Sequence, residues 1–446
     1  YDQLGGGLSR YSTDYKWLVP HFEKMLYDNA LFVWALIETF QITKNPVYET
    51  AVRDVLSYIE KIMTSSNGAF FSAEDADSEG VEGKFYLWSK AEVMEILGIE
   101  SGELACTYWD ITENGNFEGS SIPNRPRSDQ DVVKYFRITA EELQDQLRIA
   151  RKKLMAVRNK RIRPLLDNKV LTSWNALMIS AFARAARVFG DSSFEITAER
   201  AAAFIFKNLK DESGRLFRRW CDEEARYPAY LCDYAQMAMA CLDLYETTYD
   251  PVWFRKGCEL SNEIKRLFRN ENGPFYDTGT DGEVLLTRNA EGYDGVEPSG
   301  NSSVANAFLR LNSYGRESEF FEDAQRVFRC FSPMFNQAGV SFCSMLSGLH
   351  FSLSGPKEVV ISGRRGDAET EALLSEVRRE FHPNTVTAFL EDSNSKLTEE
   401  IIPLASGRPM LNGRATAYVC QNQACRLPVH TVEELRELLD SSYFQN

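Results

Sequence analysis

The residues best equipped for chemistry in this chain are carboxylates set beside aromatics and amides, and they recur at corresponding places. His21, Glu23, Asp28 and Asn29 open one apolar helical segment, Trp174 and Asn175 a second, Asp233 and Tyr234 a third, and Ser299, Asn301 and Ser302 a fourth. Glu74, Asp75 and Asp77 crowd the loop after Gly68, and Glu297 stands just before the fourth segment. Carboxyl groups beside flat rings suit a neutral sugar: the rings stack on its apolar face, and the acids hydrogen-bond hydroxyls or move protons. Hydrolysis of a glycosidic bond needs two such carboxyls, about 5–5.5 Å apart for retention of configuration and ~6.5–9.5 Å for inversion. Asp75, Asp233 and Asp28 are the candidate acid/base groups, with His21 and Glu23 orienting them. Glu74, Asp77, Trp174, Asn175, Tyr234 and Asn301 are the candidate substrate contacts. Each also has a plainer role open to it. An aspartate at a helix start offsets the helix dipole, the 74–77 run suits a solvated turn or a hard-cation loop, and the repeated Asn29, Asn175 and Asn301 suit hydrogen bonds between helices.

Other chemistries find less support. Four histidines, none clustered, make no zinc signature. No Gly-x-x-x-x-Gly-Lys-Ser/Thr phosphate loop and no Gly-x-Ser-x-Gly nucleophile turn is present. No cofactor or resident metal is expected. Cys420 and Cys425, with four residues between them, are not a Cys-x-x-Cys pair and read either as buried thiols or as a regulatory disulfide. Sixty-five acidic against fifty basic residues give a net charge of −15, which disfavours nucleic acid and anionic membrane as partners. Apolar runs fall short of the ~18–20 residues of a membrane span. Nine cysteines at irregular spacing fit a reducing cytosol.

The elements that must position these residues repeat. Four segments share a Gly-x-x-aromatic turn, at Gly68, Gly214, Gly273 and Gly339. An aromatic precedes each glycine by 20, 20, 20 and 19 positions, at Tyr48, Phe194, Trp253 and Phe320. Nineteen further back lie Asn29, Asn175, Tyr234 and Asn301, each followed by a small residue. Every unit reads as a helical hairpin: an inner helix apolar nearly all round, a short turn, then an amphipathic helix ended by its glycine. The starts of the inner helices then share one end with the Gly-x-x-aromatic turns, and the opposite end looks chemically plain. Residues 1–355 are expected to form this helical domain, interrupted at 78–166 by an insertion with capping boxes at Ser89/Glu92 and Thr139/Glu142. From 356 the pattern changes to strands at 357–361, 385–390 and 415–420, with helices at 367–381 and 431–439: a small α/β appendage.

With these residues in hand, the chain resembles the YyaL-type family of thioredoxin-domain-containing proteins, whose animal members are called spermatogenesis-associated protein twenty. The resemblance rests on Tyr1-Asp2-Gln3-Leu4-Gly5-Gly6-Gly7, on the run from Trp17 through Pro20-His21-Phe22-Glu23 to Asp28, and on Ser72-Ala73-Glu74-Asp75-Ala76-Asp77-Ser78. Lys169 to Asn175, Pro298-Ser299-Gly300-Asn301-Ser302 and Ala417-Tyr418-Val419-Cys420 extend it over essentially the whole chain. It implies a mainly α fold, an (α/α)6 toroid of the six-hairpin glycosidase type, akin to acylglucosamine epimerases and unsaturated glucuronyl hydrolases. It also implies a thioredoxin-like domain upstream and a first hairpin missing ahead of Tyr1. Epimerases of this fold are similar in using two histidines, whereas only His21 falls at the site end here, so the carboxylates point toward the hydrolase-like members. A sugar-binding or sugar-modifying domain is therefore expected. The alternatives are a non-catalytic scaffold or client-binding domain serving the thioredoxin-like domain, and thiol redox chemistry at Cys420 and Cys425.

Overall fold

Apolar residues recurring at a 3.6-residue period give helices, and the Gly, Pro and Asn/Asp between such runs turn the chain back on itself. The computed structural model describes residues 1–315 and 318–440 and realises this pattern as helical hairpins. The chain divides into two compact units, one of Tyr1–Phe32, Thr50–Ser65 and Phe70–Asn168, the other of Val33–Glu49, Ser66–Ala69 and the chain from Lys169 onward. Helices α1 (Leu26–Thr43) and α2 (Pro46–Ile62) contribute residues to both.

In the first unit, β1 (Lys24–Met25) pairs antiparallel with β2 (Ala73–Glu74), and β3 (Asp77–Ser78) with β4 (Val81–Glu82) makes a small hairpin. The insertion folds as α3 (Lys90–Leu97), α4 (Ile99–Tyr108), α5 (Asp129–Phe136) and α6 (Ala140–Arg158) around Trp88, Val93, Leu104, Val132, Leu143 and Leu154. β5 (Leu166–Asp167) then closes a three-stranded sheet in the order β1-β2-β5. Thr139 and Glu142 form the full capping box expected at α6. At α3 only half forms: Ser89 accepts from the Glu92 N–H, while Arg161 takes the Glu92 carboxylate at 2.7 Å. A charge-assisted bond to a guanidinium outcompetes a single backbone N–H.

An ionic cluster is buried in this unit. The Lys24 ammonium donates to Asp2 at 3.0 Å and to the Gly6 carbonyl at 2.9 Å, and Arg158 grips Asp2 with both guanidinium nitrogens. Burial alone would raise the Asp2 pKa, but Arg158 and Lys24 hold it well below the usual carboxylate range. Burial lowers that of Lys24.

The second unit opens with β6 (Val170–Leu171), which pairs with the hairpin of β7 (Phe217–Cys221) and β8 (Glu224–Pro228). Its helical hairpins are α7 (Thr172–Phe189) with α8 (Ser192–Asn208), α9 (Leu231–Thr248) with α10 (Pro251–Phe268), and α11 (Gly300–Ser313) with α12 (Ser318–Ala338). The inner helix α9 packs against α7, α10 and α11, and is buried almost along its whole length, as the absence of a polar face requires. α13 (Cys343–Ser354) lies against α11. The expected role of the turn glycines needs correction. α8 ends at Asn208 and α10 at Phe268, so Gly214 and Gly273 lie beyond the helix ends rather than stopping them. Gly214 instead turns the chain between Lys210 and Leu216, which bridge each other, with φ of 92° that favours glycine. Gly68 has φ of 97°, whereas Gly273 and Gly339 do not adopt the left-handed region.

The C-terminal part is the α/β appendage read from the sequence. β9 (Lys357–Gly363), α14 (Ala368–Arg379) and β10 (Thr385–Glu391) form a parallel crossover unit. After the short α15 (Ser395–Ile401), β11 (Thr416–Gln421) pairs antiparallel with β9 and with the edge strand β12 (Ala424–Cys425), and α16 (Val432–Asp440) packs against α14. The sheet order is β10-β9-β11-β12.

Candidate functional site

In the second unit, chemistry gathers where α7 and α9 begin and just before α11. The β7–β8 hairpin carries Arg218, whose guanidinium lies 4.8 Å from the Tyr230 ring centre and 3.3 Å from Asp233 Oδ2. Asp233 stands in the first turn of α9 and is fully buried. Its Oδ2 also accepts from the Tyr230 N–H at 2.8 Å, and its Oδ1 from the Ser173 N–H at 3.1 Å. Burial raises the Asp233 pKa, against the pull of Arg218 and of these backbone N–H groups.

Glu297 is held differently. Trp174, in the first turn of α7, donates its indole N–H to Glu297 Oε1 at 3.2 Å. Glu297 Oε2 is buried and has no hydrogen-bond partner among the described residues. Burial raises this carboxyl's pKa; the Trp174 bond and Arg218 oppose the rise, and Asp233 adds to it. The loop carrying Glu297 is pinned on both sides. Asp294 Oδ1 accepts from the Ser299 N–H at 2.9 Å and its Oδ2 from the N–H groups of Ser344 and Met345, while the Ser299 hydroxyl caps α11. A half-buried acid with one oxygen fixed and the other unpartnered has the chemistry to exchange a proton with a ligand that reaches it.

In the first unit, His21, Glu23 and Asp28 gather around Arg10. Arg10 Nη1 lies 3.1 Å from Glu23 Oε2 and its Nε 3.9 Å from Asp28 Oδ2. His21 Nδ1 sits 2.8 Å from Glu82 Oε1, its Nε2 3.7 Å from Glu23 Oε2, and its ring stacks on Tyr11. Asp75 and Asp77 are exposed, and Asp75 Oδ1 accepts from the Asp77 N–H.

Four of the expected substrate contacts occupy structural positions. Glu74 is fully buried, and its carboxylate is taken by Tyr58, Tyr86 and Arg163 at 2.8, 3.3 and 2.7 Å. Asn301 is fully buried, accepting from the Phe275 N–H and donating to the carbonyls of Phe275 and Glu291. The Tyr234 hydroxyl, equally buried, accepts from the Leu216 N–H at 2.9 Å. Asn175 is buried and donates to the Leu171 carbonyl. Phe275 and Leu216 each stand two residues after a repeat glycine, so in these two units the recurrent inner-helix residue clamps the backbone of the Gly-x-x-aromatic turn. That is the physical reason for the spacing. Sequence reasoning did not pick out Arg218, since nothing in its surroundings announced the β7–β8 hairpin.

The other end of these helices is not plain. Asp243 and Glu246, one turn apart near the end of α9, are bound by Arg184 and Arg187 of α7 and Arg310 of α11. Burial would raise the Asp243 carboxyl, but Arg184, Arg310 and Arg187 hold it well below the carboxylate range. The cluster lines a cavity of about 690 Å³ that also reaches His350, Arg378 and His382. Cations in the last turns of α7 and α11 match the negative ends of those helix dipoles.

Relatives are found along the whole chain. It is 32% identical over 474 residues to spermatogenesis-associated protein 20 of Homo sapiens, a match covering 98% of this chain and 60% of the human protein. The Mus musculus protein of the same name matches at 31% identity, with 98% and 60% coverage. The chain is a homologue of spermatogenesis-associated protein 20. It spans about 60% of the length of these relatives. An uncharacterized protein of Caenorhabditis elegans is 31% identical over 99% of the chain and 64% of its own length. No protein-family model matches. Among solved structures, the cellobiose 2-epimerase of Spirochaeta thermophila is similar with a TM-score of 0.47 and 13% identity over 76% of this chain and 66% of that one. A D-mannose isomerase is similar with a TM-score of 0.38 and 11% identity over 75% and 82%. Among the described residues, no helix is long and apolar enough to cross a membrane, and no three potential metal-ligating side chains cluster.

Proposed function

We propose that this spermatogenesis-associated protein 20 homologue binds a neutral sugar and modifies it by acid/base chemistry, in the manner of a glycosidase or an epimerase, with Glu297 as the proton-carrying group. The observation that carries the reading is the Glu297 carboxyl: raised by burial, tethered through one oxygen to Trp174, and unpartnered at the other. The rings of Trp174 and Tyr230 offer the flat apolar surfaces that sugar C–H groups stack on. Arg218 supplies a cation to stabilise the anion left when Glu297 gives up its proton. Asp233 serves here as a positioning residue, holding Arg218 and the start of α9. The setting in this reading is the cytoplasm, because nine cysteines at irregular spacing fit a reducing compartment better than a secreted disulfide framework.

The test is a thermal-shift and calorimetric screen of the wild-type chain against monosaccharides, disaccharides and uronic acids, repeated on Glu297→Gln and Trp174→Ala. A sugar that raises the wild-type melting temperature and fails to do so in both variants supports the reading. Product analysis by chromatography then separates hydrolysis from epimerisation. The absence of any sugar response in the folded wild type would sink it. In that event the scaffold reading takes precedence, in which this end of the hairpins serves a thioredoxin-like domain; the structural use of Asn175, Tyr234, Asp233 and Asn301 favours it.

A further inference from the structure

The cysteine pair at the edge of the C-terminal sheet has no part in the site above. Asn422 and Gln423 form the tight turn between β11 and β12, both with left-handed φ, 51° and 64°. A two-residue turn of this kind fixes hairpin register, and here it sets Cys420 directly opposite Cys425. The two are joined as a disulfide. The sulfurs are unequal: Cys420 is 2% exposed, and Cys425 lies in the open on the edge strand. Arg408 aims one guanidinium nitrogen at both, 3.5 Å from Cys420 Sγ and 3.8 Å from Cys425 Sγ. On the other side of Cys420, β9 places Glu358 directly opposite in register. One sheet face thus carries, in a row, a carboxyl, a buried sulfur and an exposed sulfur, with a cation over the two sulfurs.

We propose that Cys420 and Cys425 form a thiol–disulfide exchange site whose substrates are dithiols. A thiolate of the dithiol attacks the exposed Cys425 Sγ. The Cys420–Cys425 bond breaks, its electron pair leaves on Cys420 Sγ, and Arg408 stabilises the resulting thiolate. The second thiol of the substrate, as thiolate, then attacks the mixed disulfide at its own sulfur and releases Cys425 as a thiolate. The substrate dithiol is oxidised to a disulfide, and the protein pair is reduced by two electrons and takes up two protons. A cation beside the leaving sulfur lowers its basicity and speeds its departure.

The test uses the full chain and dithiothreitol as probe. Samples are quenched at intervals and at set ratios of reduced to oxidised dithiothreitol, then labelled with a light alkylating agent before complete reduction and a heavy one after it. Mass spectrometry reads the peptide containing both cysteines. The expected result is conversion between no light labels and two. Arg408→Met should slow the reduction roughly three- to tenfold, the consequence of a more basic leaving sulfur, and Arg408→Lys should restore most of the rate. Two light labels at every ratio, exchange only after denaturation, or an unchanged rate in Arg408→Met would each overturn the proposal. Should Arg408→Met fail to fold, the single variants decide with oxidised glutathione as the probe: native Cys420→Ser should form a glutathione mixed disulfide at Cys425, releasing one glutathione thiolate, far faster than Cys425→Ser forms one at Cys420. Equal rates would overturn the assignment of Cys425 as the attacked sulfur, and with it the proposal.

Discussion

Glu297→Gln and Asp233→Asn each remove one negative charge from the same end of the second unit, and the structure makes their effects on stability opposite in sign. Glutamine keeps an oxygen for the Trp174 indole N–H, puts an amide where Oε2 has no partner, and abolishes the cost of burying a carboxylate. Relief of such a functional strain commonly stabilises by roughly 0.5–2 kcal/mol. Asparagine at 233 must present an NH2 group to one set of donors that now meet an oxygen: the Tyr230 N–H with Arg218, or the Ser173 N–H. Losing a buried charge-assisted contact and stranding its donor costs about 2–4 kcal/mol. The second unit has roughly 300 residues, for which about 2.1 cal/mol/K per residue gives ~0.6 kcal/mol/K of unfolding entropy. Glu297→Gln should therefore raise the melting temperature of that unit by about 1–3 °C and Asp233→Asn lower it by about 3–6 °C. The pH profile provides a second handle. With its folded-state pKa raised, Glu297 holds its proton in the native state above the pH at which the unfolded chain releases it, so wild-type stability falls as pH rises through that window. The advantage of Glu297→Gln should be absent below the unfolded value of about 4.3, grow as pH rises through the folded one, and stay constant above it. Differential scanning calorimetry from pH 4 to 8 reads both. A Glu297→Gln variant that melts lower than wild type at neutral pH would refute the reasoning, because Glu297 would then be a structural acid like Asp233.

Other residues give equally direct expectations. Asp243→Asn should destabilise by about 3–5 kcal/mol in urea unfolding, because Arg184 and Arg310 lose their shared partner in a buried cluster. Since its folded pKa is depressed, the wild-type contribution is present above the unfolded carboxylate value and lost as pH falls through the folded one, so the two proteins should converge in strong acid. Asn301→Ala frees the Phe275 N–H and the carbonyls of Phe275 and Glu291; a loss of about 1–3 kcal/mol is expected, with faster amide exchange at Phe275. Lys24→Met takes one of two cations from Asp2, leaving Arg158 and the N–H groups of Leu4 and Gly5, and should cost about 3–5 kcal/mol; a variant as stable as wild type would show that these suffice.

The repeat was legible because its cause is geometric. In two of the units the recurrent inner-helix residue reaches back to the turn that ends the preceding unit, as Tyr234 does at Leu216 and Asn301 at Phe275. Asn29 uses the same position to hold the backbone of Leu8 and Met25. Each duty needs donors or acceptors at the side-chain tip, which leaves Asn or Tyr in register along the sequence. The α/β appendage was equally plain, since strands at 357–361, 385–390 and 415–420 are runs of β-branched and apolar residues that differ from the observed bounds by a residue or two at either end. Less visible were features built from residues far apart. Arg218 reaches Asp233 only because β7 folds back on β8, and Phe217 to Pro228 carries no Gly to mark its turn, which relies on Asp222 and Glu223 at positive φ. The Arg184–Asp243–Arg310 cluster left a signal that was open to reading: charged residues one turn apart near the ends of helices otherwise apolar all round. Such residues are tolerated in an inner helix only when they are paired.

That distinction separates the roles at the site end. Repetition is evidence of a structural duty, because a recurring hairpin needs recurring backbone contacts, and Asn29, Tyr234 and Asn301 spend polar atoms on backbone for that reason. A residue that recognises a substrate has no cause to recur in every hairpin. Glu297 lies outside the repeated positions, on a loop anchored by Asp294 rather than by the helical pattern, and keeps a buried oxygen that the described structure does not use. Arg218 is likewise particular to one hairpin and arrives on a strand. The recurring Tyr234 and Asn301 thus spend their polar atoms on backbone, whereas the non-recurring Glu297 keeps one buried oxygen without a hydrogen-bond partner among the described residues. In a toleration scan, Asn301 and Tyr234 should then tolerate only changes that preserve a hydrogen bond to the turn, whereas Glu297 should accept Gln, Met or Leu without loss of folding. A scan in which Glu297 proves as intolerant as Asn301 would return it to the structural set.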